Sequence, residues 1–289
     1  MKKHLIAGLL FFVLSVVLCA CGDKNVVGID EQVSGESVKI IDVDLTDEYY
    51  GIGVDKENTD LLDQINEYIK KIQESGELDE LIDRYLSGGE PNIVTSEELD
   101  KSKDQLVVAS TLDFEPFEYG EEGAFCGIDM ELVEGLADYL NKELVIINSS
   151  FDTMFFSVKQ HKCDICIGGI SITDERREYV DFSEPYYSTA QVLAAQVDDD
   201  TFDDAKTSEQ VESILRNMDS KTIVGVENLT TAQNYFNGEN DSNREFPITV
   251  RGYSDMETAI SALSMGECNY VVGDYTTVKS FVDKVNGAE

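Results

Sequence analysis

The residues best suited to chemistry fall just past the ends of strand-like apolar runs: Phe114, Phe151, Ser171 with Arg176, Thr230 with Thr231, and Asp274. In open parallel sheets, ligands bind beyond the carboxyl ends of the strands. The set holds two aromatic faces, a guanidinium, hydroxyls and a carboxylate, which together suit a small zwitterion. Arg176 can grip a carboxylate through two parallel hydrogen bonds. Backbone N–H groups at the helix start near Thr231 add donors and a favourable dipole. Asp274 would accept from an ammonium, and Phe114 and Phe151 would sandwich the aliphatic or planar part of a side chain. Each residue also has a plainer reading: a surface ion pair for Arg176, a helix cap for Asp274, core packing for the two Phe.

Other reactive side chains offer less. Cys163-Asp164-Ile165-Cys166 has C-x-x-C spacing but opens a strand-like run, where residues three apart point to opposite faces. Buried free thiols are the expectation there. His161 lies in the polar turn Lys159-Gln160-His161-Lys162 and has no His or Cys spaced to share a metal. No catalytic residue, cofactor or metal is expected. With 58 Asp+Glu against 22 Lys+Arg the formal charge is −36, which repels phosphate backbones and excludes nucleic acid as a partner. The 42% hydrophobic content, with thirteen Tyr and thirteen Phe, is enough for a real core.

The elements that position these residues begin after a leader. Met1-Lys2-Lys3, the apolar run Leu5 to Leu18, and Leu18-Cys19-Ala20-Cys21 have the layout of a secretory signal over 1–20. Its end resembles a bacterial lipobox, which makes Cys21 the lipidated residue. A polar tether follows over 21–37. Strands are predicted at Val38 to Asp44 and Tyr50 to Val54, helices from Leu61 to Gly76 and from Leu78 to Gly88, then a linker over 88–104. Alternation resumes with strands starting at Leu106, Leu144, Asp164, Gln191, Thr222, Ile248 and Tyr270. Helices are predicted from Met130, Thr153, Ser208, Thr231, Asp255 and Thr276. This alternation implies α/β layers with largely parallel sheets. The acidic run Asp198-Asp199-Asp200 with Asp203-Asp204 reads as a solvated face. Met154 to Gly169 and Met256 to Gly273 echo each other as helix, cysteine-bearing turn and strand, as two similar lobes would.

Ile170-Ser171-Ile172-Thr173-Asp174-Glu175-Arg176-Arg177, continuing through Asp181-Phe182-Ser183-Glu184-Pro185-Tyr186-Tyr187, resembles the signature of family-3 solute-binding proteins of ABC importers. Phe114-Glu115-Pro116-Phe117 and Gly127-Ile128-Asp129-Met130-Glu131-Leu132 match that family's first strand-loop and helix. The resemblance implies an α/β, two-lobed type II periplasmic-binding-protein (Venus-flytrap) fold that closes on an amino acid. It further implies that Arg176, helped by Ser171, Gly169, Thr230 and the Thr231 region, binds the α-carboxylate. Asp274 would bind the α-amino group, and Phe114 and Phe151 would pack on the ligand. Two positions depart from the family: Thr111 stands where a side-chain-reading Asp or Glu is frequent, and Glu227 precedes the threonines with no glycine next to them. Glu227 points to a cationic or amide-bearing ligand or else to solvent.

Segment order also departs. Tyr50-Gly51-Ile52-Gly53-Val54 and the two helices after it resemble the C-terminal end of such proteins, yet they come first, as in a circular permutation. Lobe 1 would then run over 49–187, including the linker, and lobe 2 over 188–289 plus 38–44. The implied protein is a lipid-anchored, extracytoplasmic monomer that delivers an amino acid to a membrane permease. Rival readings are a dehydratase-like enzyme on the same fold and a sensory module for a membrane partner.

Overall fold

A computed structural model describes residues 37–121, 123–238 and 246–287. The signal, Cys21 and the tether up to residue 36 lie outside the described residues. The first block comprises β1 (Val38–Ile41), β2 (Glu48–Tyr50), β3 (Gly53–Val54), α1 (Thr59–Ser75) and α2 (Glu77–Leu86). Then come β4 (Gln105–Ser110), β5 (Asp113–Phe114), β6 (Glu118–Glu121), β7 (Ala124–Cys126), α3 (Ile128–Leu140), β8 (Glu143–Asn148), α4 (Phe151–Lys159) and β9 (Ile165–Cys166). A 3₁₀ turn, Arg176–Glu178, leads to β10 (Asp181–Phe182), β11 (Tyr187–Thr189) and β12 (Gln191–Gln196). The rest is α5 (Ser208–Arg216), β13 (Ile223–Glu227), α6 (Thr231–Asn237), β14 (Thr249–Tyr253), α7 (Met256–Ser264), β15 (Tyr270–Asp274) and α8 (Tyr275–Val285).

Local chemistry explains the boundaries. In α1 the Asn58 Oδ1 accepts from the Leu61 N–H, and Leu61, Ile65, Tyr68, Ile69 and Ile72 form a buried stripe at helical spacing. Gly76, at φ +84°, ends that helix and starts α2. The central strands β12 and β15 are buried along almost their whole length, as strands covered on both faces must be.

Two five-stranded sheets build the two lobes, in the orders β10-β3-β9-β4-β8 and β1-β12-β15-β13-β14. Each has apolar clusters on both faces: Ile65, Leu106 and Leu136 against Met154, Phe155 and Val180 in the first, and Leu215, Val224 and Val272 against Ile260, Leu263 and Val271 in the second. Between the sheets, β2 and β11 pair antiparallel as a short ribbon, Tyr50 opposite Tyr187 and Glu48 opposite Thr189.

Several expectations need correction. The sheets are mixed: β4 pairs parallel with β8 and β9, and β13 with β14 and β15, but β1, β3, β10 and β12 run antiparallel to their neighbours. The antiparallel strands are the ones that flank the passages between sheets, where no crossover helix intervenes. The strand expected at Tyr50 to Val54 is split. Its first residue belongs to the ribbon and its last two to a sheet, with Gly51 pressed against Ile172. The linker over 88–104 is tacked down by Val94, fully buried and bridged to Phe125 by two backbone hydrogen bonds. No periodicity marks the three-stranded sheet β5-β6-β7, whose strands are only two to four residues long. Cys163, Cys166 and Cys268 are buried free thiols, and burial pushes Cys163 up to about 12. His161 has an exposed ring 3.6 Å from Asp55. Within the acidic run Phe202 is buried and anchors the loop.

Candidate functional site

A cavity of ≈220 Å³ lies between the lobes, and Thr111, Phe114, Phe151, Gly169, Ser171, Arg176, Glu227, Thr230, Thr231 and Asp274 all line it. The first six come from one lobe and the other four from the second; Phe151 and Thr231 open α4 and α6, Arg176 opens the 3₁₀ turn, and the rest stand at strand ends or in connecting turns. Arg176 and Asp274 thus share a single cavity.

Lobe 1 supplies the aromatic and cationic wall. Phe114 stacks on Phe117 with ring centroids 5.9 Å apart, and Phe151 meets Phe155 edge-on at 5.7 Å. The Arg176 guanidinium lies 4.8 Å from the Phe151 ring centre, and its Nη1 donates to the Ser171 carbonyl at 2.7 Å. Among the described residues it forms no ion pair. Desolvation pulls its pKa down, opposed by the charges of Glu48 and Asp274. Gly169, at φ +52°, lets the chain turn beneath the Phe114 ring: a Cβ there would sit 2.5 Å from Cε1.

Acidic side chains enter the cavity from both lobes. Asp274 stands at the N-cap position of α8 but makes no capping bond. Its carboxylate turns into the cavity and accepts from the Tyr50 hydroxyl at 2.6 Å. Burial, and then the neighbouring Glu48 charge, push it up to about 7. Glu227 also faces the cavity, and burial followed by Asp113 raises it to about 8. Thr111 donates to Glu118 Oε1 at 2.9 Å, so Glu118 supplies a carboxylate beside the position where Thr111 replaces one. Glu118 is fully buried, its other oxygen unpartnered within the protein, and burial and Asp129 hold its pKa well above the usual range.

Residues 106–228 match the bacterial extracellular solute-binding proteins, family 3. A solved structure, the P235GK mutant of ArgBP from T. maritima, is 32% identical with a TM-score of 0.52, covering 64% of this chain and 74% of that one. The chain belongs to this family. Among curated relatives, the arginine-binding periplasmic protein of Mannheimia haemolytica is 27% identical over 186 residues, 64% of this chain and 69% of its own length. A cyclohexadienyl dehydratase of Pseudomonas aeruginosa is 38% identical over only 82 residues, 28% of this chain and 31% of its own.

In this family-3 protein two features of the site escaped the sequence reading. Glu118 sits on the unanticipated β6, where nothing marks it as buried. Glu48 belongs to a polar connecting stretch, yet its Oε2 accepts from Ser171 at 2.6 Å and Thr231 at 2.8 Å. The single hydroxyl proton of each is thereby spent, and the Thr230 hydroxyl is spent on the Glu227 carbonyl. These hydroxyls therefore have no proton left to offer a ligand.

Proposed function

We propose that this solute-binding protein captures a free amino acid with a cationic side chain between its lobes. One observation carries the reading: an Arg176 guanidinium with no ion-pair partner among the described residues shares its cavity with five acidic side chains, Asp113, Glu118, Asp152, Glu227 and Asp274. A ligand carboxylate neutralises the first. Its ammonium needs one of the five, and a second positive charge answers part of the surplus. The ligand docks on lobe 1 through Arg176, Phe114 and Phe151. Closure about the β2–β11 ribbon then brings Asp274 to the ammonium and excludes water. The arginine-binding relatives favour the same class.

The same reading has the closed form deliver its ligand to an ABC importer from a monomer held at the membrane by lipid on Cys21. It also takes the chain as a circular permutant, with lobe 1 over 49–187 and lobe 2 over 188–289 plus 38–44. Sheet membership supports this: β3, early in the chain, lies between β9 and β10, and β1 edges the sheet of β12–β15. The test is calorimetric titration with L-arginine and its neutral isostere L-citrulline. Arginine is expected to bind with a micromolar or lower dissociation constant, about −8 kcal/mol, and citrulline at least about tenfold more weakly. Equal affinities would remove the cationic assignment. Binding of neither would remove the receptor reading.

A further inference from the structure

Glu48 is an ionisable group beside the site that ligand recognition leaves unused. It lies on the ribbon strand β2, outside the cavity lining, with one face toward each lobe. Its Oε2 accepts from Ser171 Oγ of lobe 1 at 2.6 Å and from Thr231 Oγ1 of lobe 2 at 2.8 Å, while Oε1 accepts from Thr46 at 3.2 Å. Gln191, at the foot of the other passage, completes the ring: its Nε2 donates to Thr231 Oγ1 at 3.1 Å and its backbone N–H to Thr46 Oγ1 at 3.0 Å. A single carboxylate oxygen therefore holds a hydroxyl from each lobe, and opening the cleft must break at least one of the two bonds. The Glu48 charge also acts against the lowering of the Arg176 pKa by burial.

We propose that Glu48 is a positioning residue that acts as a latch. It holds the closed arrangement together before ligand arrives and turns the protons of Ser171 and Thr231 away from the ligand. Hydrogen bonds to a charged acceptor are stronger than neutral ones, so losing the link that joins the two lobes through Glu48 shifts the closure equilibrium toward the open form. Ligand affinity falls by the same factor, because binding draws on the closed population. The affinity part rests on the amino-acid reading above, whereas the closure part needs no ligand.

The test compares wild type, Glu48→Ala, Glu48→Gln and Thr231→Val by small-angle scattering without ligand, with thermal unfolding to verify folding. Calorimetric titration with L-arginine supplies the second readout. The latch predicts a larger radius of gyration for ligand-free Glu48→Ala and Thr231→Val, and recovery toward wild type in Glu48→Gln, whose amide oxygen can still accept from both hydroxyls. It predicts arginine binding about tenfold weaker in Glu48→Ala, chiefly through faster dissociation. Combining Glu48→Ala with Thr231→Val should open the protein no further than either alone. Ligand-free scattering identical to wild type in folded Glu48→Ala or Thr231→Val would overturn the proposal. If wild type binds no arginine, the amino-acid reading fails, while the scattering still decides the latch.

Discussion

Replacing Arg176 with Met separates binding from folding. The guanidinium donates once to the Ser171 carbonyl at 2.7 Å and lies 4.8 Å from the Phe151 ring centre, with no ion pair among the described residues. Methionine keeps much of the apolar stem and removes the charge. The fold loses one charged hydrogen bond, about 1.5–3 kcal/mol, and a cation–π contact of about 0.5–2 kcal/mol. The release of a desolvated charge offsets these losses, so the ligand-free melting temperature should move by only a few degrees. Binding has no such offset. Removing the partner of a ligand carboxylate inside a closed cavity costs about 2–5 kcal/mol, roughly a 30- to 5,000-fold rise in the arginine dissociation constant. Calorimetric titration and thermal unfolding of the same preparation measure both. An affinity within threefold of wild type in a folded Arg176→Met protein would refute the assignment of this guanidinium to the carboxylate.

The remaining predictions concern the carboxylates, the chain ends and the turn under Phe114. Burial raises Asp274 and Asp129 from 3.8 to about 7 and Glu227 from 4.5 to about 8. Between the unfolded and folded values the native state holds more protons than the unfolded one. The stabilisation from these groups is therefore complete below about pH 4 and lost as pH rises through 7 to 8. Ligand-free thermal scans should show this component as rising stability on acidification from pH 8 to 6, while arginine affinity falls over the same range because a cation needs the carboxylates ionised. In Asn286→Ala the side chain that accepts from the Ser37 and Val38 N–H groups and donates to the Val38 carbonyl is lost. Equilibrium unfolding should report a destabilisation of about 1–3 kcal/mol, with faster amide exchange in β1. Gly169→Ala should weaken arginine binding about tenfold or more, because the new methyl would meet Phe114 in a left-handed backbone conformation. Calorimetric titration checks this, and unchanged affinity would count against the packing role of the Phe114 ring.

Legibility of the fold tracked apolar periodicity. Helices such as α1, α7 and α8 and strands such as β4, β12 and β15 bury continuous or regularly spaced side chains, and their positions could be read directly. The β2–β11 ribbon could not, because its pairing depends on partners distant in the chain, and the sheet β5-β6-β7 could not, because its strands are too short to carry a periodic pattern. Candidate site residues were legible where a distinctive side chain stands at the end of a clear strand, as with Asp274 at the end of β15. They were hidden where a carboxylate gains its meaning only from burial or from bridging, as with Glu118 and Glu48. The C-x-x-C pair shows the reverse: a spacing that looks reactive belongs to thiols buried in the core.

The most direct test of the central claim is a thermal-shift screen of the purified protein against the twenty amino acids plus ornithine and cystine. A ligand at a hundred times its dissociation constant stabilises the folded state by about 2.7 kcal/mol, enough to move the midpoint by several degrees. The account predicts such shifts for arginine and, by chemical class, for lysine or ornithine, and little or none for acidic amino acids. A flat response to every compound, or a shift led by glutamate or aspartate, would contradict it.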